Sequence, residues 1–134
     1  MKDFLIRLML AGGAMAIIDA FWLSIVANKF YKSQIGSLLL DKPNMPAAVA
    51  FYIIYVIGIV VFAVSPALEK GSWQYALGYG ALLGFVAYAT YDLTNLATLK
   101  GFNVRLVIVD MLWGTLLTGA VSLIAYLAVK QWFS

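Results

Sequence analysis

Apolar residues fall into four long runs, each broken only at isolated polar positions and set apart from the next by a polar stretch. The runs extend over residues 4–27, 46–66, 73–99 and 104–129. About 20 mainly apolar residues make enough helix to cross the hydrocarbon core of a bilayer, and each run reaches that length. Backbone groups in hydrocarbon must be satisfied internally, which leaves helices or a closed barrel. The strict alternation of a barrel strand is missing, so the pattern predicts helices. The boundaries carry matching signals: Pro46 and Pro66 bracket the second run, Ser72 and Asn103 stand where N-caps belong, and Gly101 follows the third run.

The fold class expected is therefore all-α integral membrane, a four-transmembrane-helix bundle forming one domain over residues 1–134. The connection Lys100-Gly101-Phe102-Asn103 is short enough to force the third and fourth helices antiparallel, and Leu68 to Ser72 does the same for the second and third. Only the stretch from Asn28 to Met45 is long. It mixes Lys29, Lys32, Asp41 and Lys42 with Phe30, Tyr31, Ile35 and Leu38 to Leu40, which suits a short amphipathic segment on the membrane surface between helices 1 and 2. The N-terminal run resembles a signal peptide in having Lys2 ahead of it and Ala14-Met15-Ala16 inside it. Arg7 interrupts it, however, and the apolar residues continue to Ala27, so an uncleaved first span is expected.

Composition supports lipid as the main solvent. Hydrophobic residues make up 64% of the chain and charged residues 11%, where a soluble domain carries about a quarter charged. The net charge of +3 is spread along the chain, without the basic block that nucleic acid requires, so no nucleic-acid partner is expected. Cysteine and histidine are both absent, which removes thiol chemistry, thiolate zinc sites, haem ligation by histidine and the commonest general base. No cofactor is expected. Lys2, Arg7, Lys70 and Lys130 fall on one side of the bundle; Lys29, Lys32, Lys42, Lys100 and Arg105 fall on the other. The positive-inside rule gives no decision from so even a split.

Three carboxyls interrupt the spans. A carboxylate near the bilayer centre costs about 2.5–3.5 kcal/mol, so Asp19, Asp92 and Asp110 together would cost on the order of 8–10 kcal/mol if all faced lipid. Their depths agree: at about 1.5 Å per residue, all three lie roughly 9–12 Å below the membrane face that carries the long linker. The expectation is that they face one another inside the bundle. Like charges crowded in hydrocarbon oppose one another's ionisation, so the layer is not expected to hold three negative charges at once. Trp22 follows Asp19 by three residues and Trp113 follows Asp110 by three, a spacing that sets an indole beside each carboxyl. Tyr88, Asp92 and Asn95 share a stripe of the third helix, with Tyr91 and Thr94 at its flanks. The candidate binding residues are thus Asp19, Trp22, Tyr88, Tyr91, Asp92, Asn95, Asp110 and Trp113. Carboxylates and aromatic faces together suit an amphipathic or cationic guest.

A structural reading stands beside this one, because polar groups between membrane helices often act as glue worth about 0.6–2 kcal/mol each. Lys29, Lys100 and Arg105 lie on the same side as the layer and could serve as counter-ions. Gly80-x-x-x-Gly84 and Gly12-x-x-x-Ala16 are read as close-packing faces, and Thr115, Gly119, Ser122 and Tyr126 as a helix contact. Phe51, Tyr55, Gly58 and Phe62 mark one face of the second helix, and Trp73, Trp132 and Phe133 serve as interface anchors. The glycine faces leave room for a homodimer. A Mg²⁺ or Ca²⁺ site ranks low, since dry surroundings supply few water ligands.

The segment Tyr88-Ala-Thr-Tyr91-Asp92-Leu-Thr-Asn95-Leu-Ala-Thr-Leu-Lys100-Gly101-Phe102, followed by Asp110-Met-Leu-Trp113-Gly114, resembles the signature of a bacterial membrane-protein family catalogued as domain of unknown function 2177. Asp19-Ala-Phe-Trp22-Leu fits it too. The resemblance covers nearly the whole chain and implies four membrane helices, in a bacterial cytoplasmic (inner) membrane, with no particular activity. It carries over Asp19, Trp22, Tyr91, Asp92, Asn95, Asp110 and Trp113 as motif positions. Three functions follow from the residues: binding or transport of a small amphipathic or cationic molecule with protonation of an Asp coupled to release, an intramembrane acid/base enzyme acting on a lipid or isoprenoid, and a structural or accessory subunit. The partners implied are membrane lipid and a small lipid-like ligand.

Overall fold

A computed structural model describes residues 2–27 and 44–133. Four helices make up the described chain: α1 (Lys2–Trp22, continued by a π-helical turn over Leu23–Ala27), α2 (Met45–Lys70), α3 (Trp73–Thr98) and α4 (Val104–Trp132). The amphipathic segment expected between helices 1 and 2 lies outside the described residues. Lys2–Ile25, Met45–Lys70 and Val104–Trp132 are long and apolar enough to cross a membrane. At 26 residues α3 matches them in length, but its glycines, tyrosines and Asp92 make it less apolar. Its seat against α4 explains how that composition is tolerated.

The caps follow the residues expected of them. The Ser72 hydroxyl accepts from Tyr75 N at 3.0 Å, and the Asn103 carboxamide oxygen accepts from Arg105 N at 2.7 Å. Asn44 caps α2 by accepting from Ala47 N, with Pro46 in the first turn. Gly71, at φ 61°, ends α2 in a Schellman motif: Ser72 N donates to Ala67 O at 3.0 Å and Gly71 N to Leu68 O at 3.3 Å.

Pro66 does not end α2 as its place in the sequence suggests. The helix runs on to Lys70, and residues Val60–Val64, just ahead of the proline, widen into a π-helical turn. Proline lacks a donor and crowds the carbonyl four residues earlier, and a widened turn is one way a helix absorbs this. The turn also resets the phase of the helix. Tyr55, Ile59, Ala63 and Ala67 are all buried, in steps of four, as are Val56, Val60 and Val64. A regular α-helix would rotate such a row away from its partner, whereas the extra residue keeps it aligned. The stripe Phe51, Tyr55, Gly58 and Phe62 does not face one way: Tyr55 is buried, while Phe51 and Phe62 are 53% and 64% exposed.

The main core is a three-way contact among α1, α2 and α4. Ala11 and Met15 meet Val56, Ile59, Val60 and Val64, and these meet Leu117, Val121 and Ala125. Hydrogen bonds cross the same seams. Arg7 Nη1 donates to Ser65 Oγ at 2.8 Å, the Tyr52 hydroxyl donates to the Gly12 carbonyl, and the hydroxyls of Tyr55 and Thr118 share a bond of 2.6 Å in the buried interior.

Helix α3 is fastened to α4 through small residues. A Cβ at Gly80 would strike the Ser122 side chain, and one at Gly84 would strike the Gly114 carbonyl and Thr118. One at Gly114 would in turn strike the Tyr88 ring. The expected packing role of Gly80, Gly84, Gly119 and Ser122 therefore holds, and close approach replaces bulk along this seam. By contrast a Cβ at Gly12 would meet Val56 at 3.7 Å, an ordinary contact. The outward faces carry Ile54, Leu82, Leu112 and Leu116, all exposed, as lipid-facing surfaces do. Hydroxyls within the helices turn back on their own backbone: Thr90, Thr98 and Thr115 each donate to the carbonyl four residues earlier at 2.7–2.8 Å.

Candidate functional site

The three membrane aspartates come from different helices and gather around Asp110. It stands in the second turn of α4 and lies within Coulombic reach of Asp19 on α1 and of Asp92 on α3. Asp92 and Asp110 are the nearer pair. They lie side by side without completing a hydrogen bond of ordinary geometry. Asp92 is buried, 1% exposed, and neither of its carboxyl oxygens has a hydrogen-bond partner among the described residues. Asp19 and Asp110 are half-buried. Among the described residues no group of three acidic side chains is close enough to hold a metal ion. Lys100 and Arg105 sit exposed near the same end of the bundle.

The two tryptophans behave differently from their spacing. The sequence pairs Asp19 with Trp22 and Asp110 with Trp113, each on its own helix. In the structure Trp22 and Trp113 stack across the α1–α4 seam, with ring centroids 4.2 Å apart and planes 8° from parallel. The indole that approaches Asp19 is Trp113, from the opposite helix, again short of hydrogen-bond geometry. Both indole N–H groups are buried and have no hydrogen-bond partner among the described residues. A buried donor or acceptor left unmade costs about 1–3 kcal/mol, more for a charged group, and here two N–H groups and two carboxyl oxygens sit in one layer.

Aromatic side chains form the walls. Tyr88 lies against Gly114 and meets Tyr55 edge to face at 6.3 Å. Tyr91 is 59% exposed, packs edge-on to Phe102, and has Asn95 beside its hydroxyl and Asp92 and Asp110 within Coulombic reach. Thr94, at the flank of the expected stripe, is exposed. Two residues absent from the sequence-derived set join the layer. Tyr52 reaches the neighbourhood of Asp19, and Phe51 stacks on Tyr55 at 5.2 Å. The signal for both was an aromatic pair on an otherwise apolar helix, which gives no hint of the direction it faces.

Two adjoining cavities open at this level. One, about 340 Å³, is bounded by Phe51, Ala87, Tyr88, Tyr91 and Asp110. The other, about 350 Å³, lies between α1 and α2 with Asp19, Met15 and Tyr52 in its wall. Phe51 and Tyr88 belong to both, so the two cavities share those rings as a wall. Each volume is at the small end of ligand pockets, and each combines an apolar wall with one carboxyl. Such a site can hold a chain or ring by its apolar part and engage its polar end with a carboxyl, or pass a proton between Asp92 and Asp110.

No curated protein and no solved structure matches the chain. A family model described as predicted membrane protein (DUF2177) matches residues 4–127.

Proposed function

The chain belongs to the predicted membrane protein family DUF2177, and we propose that this small polytopic protein binds a small amphipathic molecule within the bacterial cytoplasmic membrane. The polar end of the guest engages the aspartate layer and its apolar body lies against Phe51 and Tyr88. One observation carries the reading: two open cavities reach the carboxyls of Asp110 and Asp19, in the layer where Asp92, Trp22 and Trp113 hold four buried polar atoms without partners among the described residues. A guest that completes those bonds must both donate, to the carboxyl, and accept, from an indole. A protonated amine with a neighbouring hydroxyl does both. Transport follows if protonation of the Asp92–Asp110 pair releases the guest.

The test uses N-dodecylethanolamine as probe, titrated calorimetrically into protein-loaded and empty nanodiscs. Saturable binding above the empty-disc background is expected, about tenfold weaker in Asp92→Asn, with dodecanol and dodecylamine each weaker than the probe. Absence of saturable binding for all three amphiphiles overturns the reading.

The adjacency of Asp92 and Asp110 favours one alternative, an acid/base enzyme acting on a lipid or isoprenoid. That alternative requires the membrane lipid profile to change when the gene is deleted and to be restored by the native chain but not by Asp92→Asn. An unchanged profile removes it.

A further inference from the structure

The opposite end of the bundle holds a second polar cavity, of about 310 Å³, that the aspartate layer does not touch. Its charged walls are Asp3 and Arg7 from the start of α1, Glu69 from the end of α2 and Lys130 from the end of α4, with Ile6 and Phe133 among the apolar ones. Asp3 and Arg7 are one helical turn apart and share a face. All four charged residues lie within two turns of a helix end, and the exposed Trp132 and Phe133 anchor that end at the headgroup level.

Arg7 is built into this cavity. Its Nη1 is fixed by the bond to Ser65 Oγ at 2.8 Å, and its Nε is buried with no partner among the described residues. A guanidinium so held presents a fork with donors still to be used, which matches the oxygens of a phosphate. The cavity is not simply basic, however. Two carboxylates balance two cations, so a free phosphate or an anionic lipid would meet Asp3 and Glu69 as well as Arg7 and Lys130. The group that satisfies both signs is a zwitterion with a phosphate and a hydrogen-bonding ammonium a few bonds apart.

We propose that this cavity binds the headgroup of a primary-amine zwitterionic phospholipid of the phosphatidylethanolamine class. The phosphate accepts from Arg7 and Lys130, and the ammonium donates to Asp3 and Glu69. A quaternary ammonium cannot donate those bonds, so a phosphatidylcholine headgroup fits less well. The volume suits a headgroup with its glycerol and leaves the acyl chains in the bilayer. The site is independent of the amphiphile site, about the length of a bundle away.

The experiment is native mass spectrometry of the full chain, released from micelles doped with equal amounts of phosphatidylethanolamine, phosphatidylglycerol and phosphatidylcholine. Phosphatidylethanolamine is expected to be retained about tenfold over the other two. Glu69→Gln, at an exposed position, is expected to erase the preference over phosphatidylcholine. Arg7→Ala is expected to reduce retention of all three lipids. Preference for phosphatidylglycerol, or equal retention of the three by the native chain, overturns the proposal. So does an unchanged preference in Glu69→Gln, a result that stands even if Arg7→Ala fails to fold. Soluble glycerophosphoethanolamine is the competitor: if it displaces the lipid at equal concentration, the occupant is a water-soluble phosphate amine and the lipid assignment is wrong.

Discussion

Trp22 and Trp113 stack almost parallel, 4.2 Å apart, although they sit on antiparallel helices and each follows an aspartate of its own helix by three residues. The stack closes the α1–α4 seam at the depth of the carboxyls, and it brings the indole of Trp113 to Asp19 of the opposite helix. Ring overlap and donor placement can be separated. Trp113→Phe keeps an aromatic ring against Trp22 and deletes the N–H; it is expected to cost about 1 kcal/mol or less in detergent unfolding. Trp113→Ala is expected to cost about 3–5 kcal/mol. If the two variants lose equal stability, the stack does not fasten the seam.

Asp92 presents a conflict between stability and function. Its carboxyl is buried and has no partner among the described residues, so an apolar replacement removes a desolvation cost. Asp92→Leu is expected to raise the melting temperature in micelles, by the equivalent of about 1–3 kcal/mol, while abolishing binding of the amphiphile probe. A lower melting temperature, measured by intrinsic tryptophan fluorescence, would show that the carboxyl is structural glue.

The two small-residue faces are predicted to behave oppositely. Gly84→Ala places a methyl group on the Gly114 carbonyl, part of a backbone that cannot step aside, and is expected to cost about 1–3 kcal/mol or to separate α3 from α4. Gly12→Ala meets only Val56 at 3.7 Å and is expected to be neutral within about 0.5 kcal/mol. Equal effects in unfolding measurements would contradict the close approach of α3 and α4.

Depth was legible in the sequence and direction around the helix axis was not. Counting residues from the helix ends brought Asp19, Asp92 and Asp110 to one level, and Gly101 and the cap at Asn103 marked two of those ends. A membrane helix, though, is apolar on most of its circumference, so hydrophobic periodicity says little about which side faces the bundle. This is why the D-x-x-W spacing did not foretell the approach of Trp113 to Asp19 across the seam, and why Tyr52 and Phe51 gave no sign of joining the layer. Where glycine marked the face, as at Gly80 and Gly84, the azimuth was readable, because close approach needs a missing side chain whatever the solvent outside.

The π-helical turn at Val60–Val64 divides α2 into two segments set at different rotational phases. The segment beyond it supplies Ser65 and Glu69 to the lipid-facing charged end; the segment before it supplies Phe51 and Tyr52 to the aspartate end. One inserted residue therefore acts as a vernier between two ends of the molecule. Each end can be aimed at its own neighbours without either compromising the other, and straightening the turn would swing the two out of alignment by about 100°, the angle of a single helical residue.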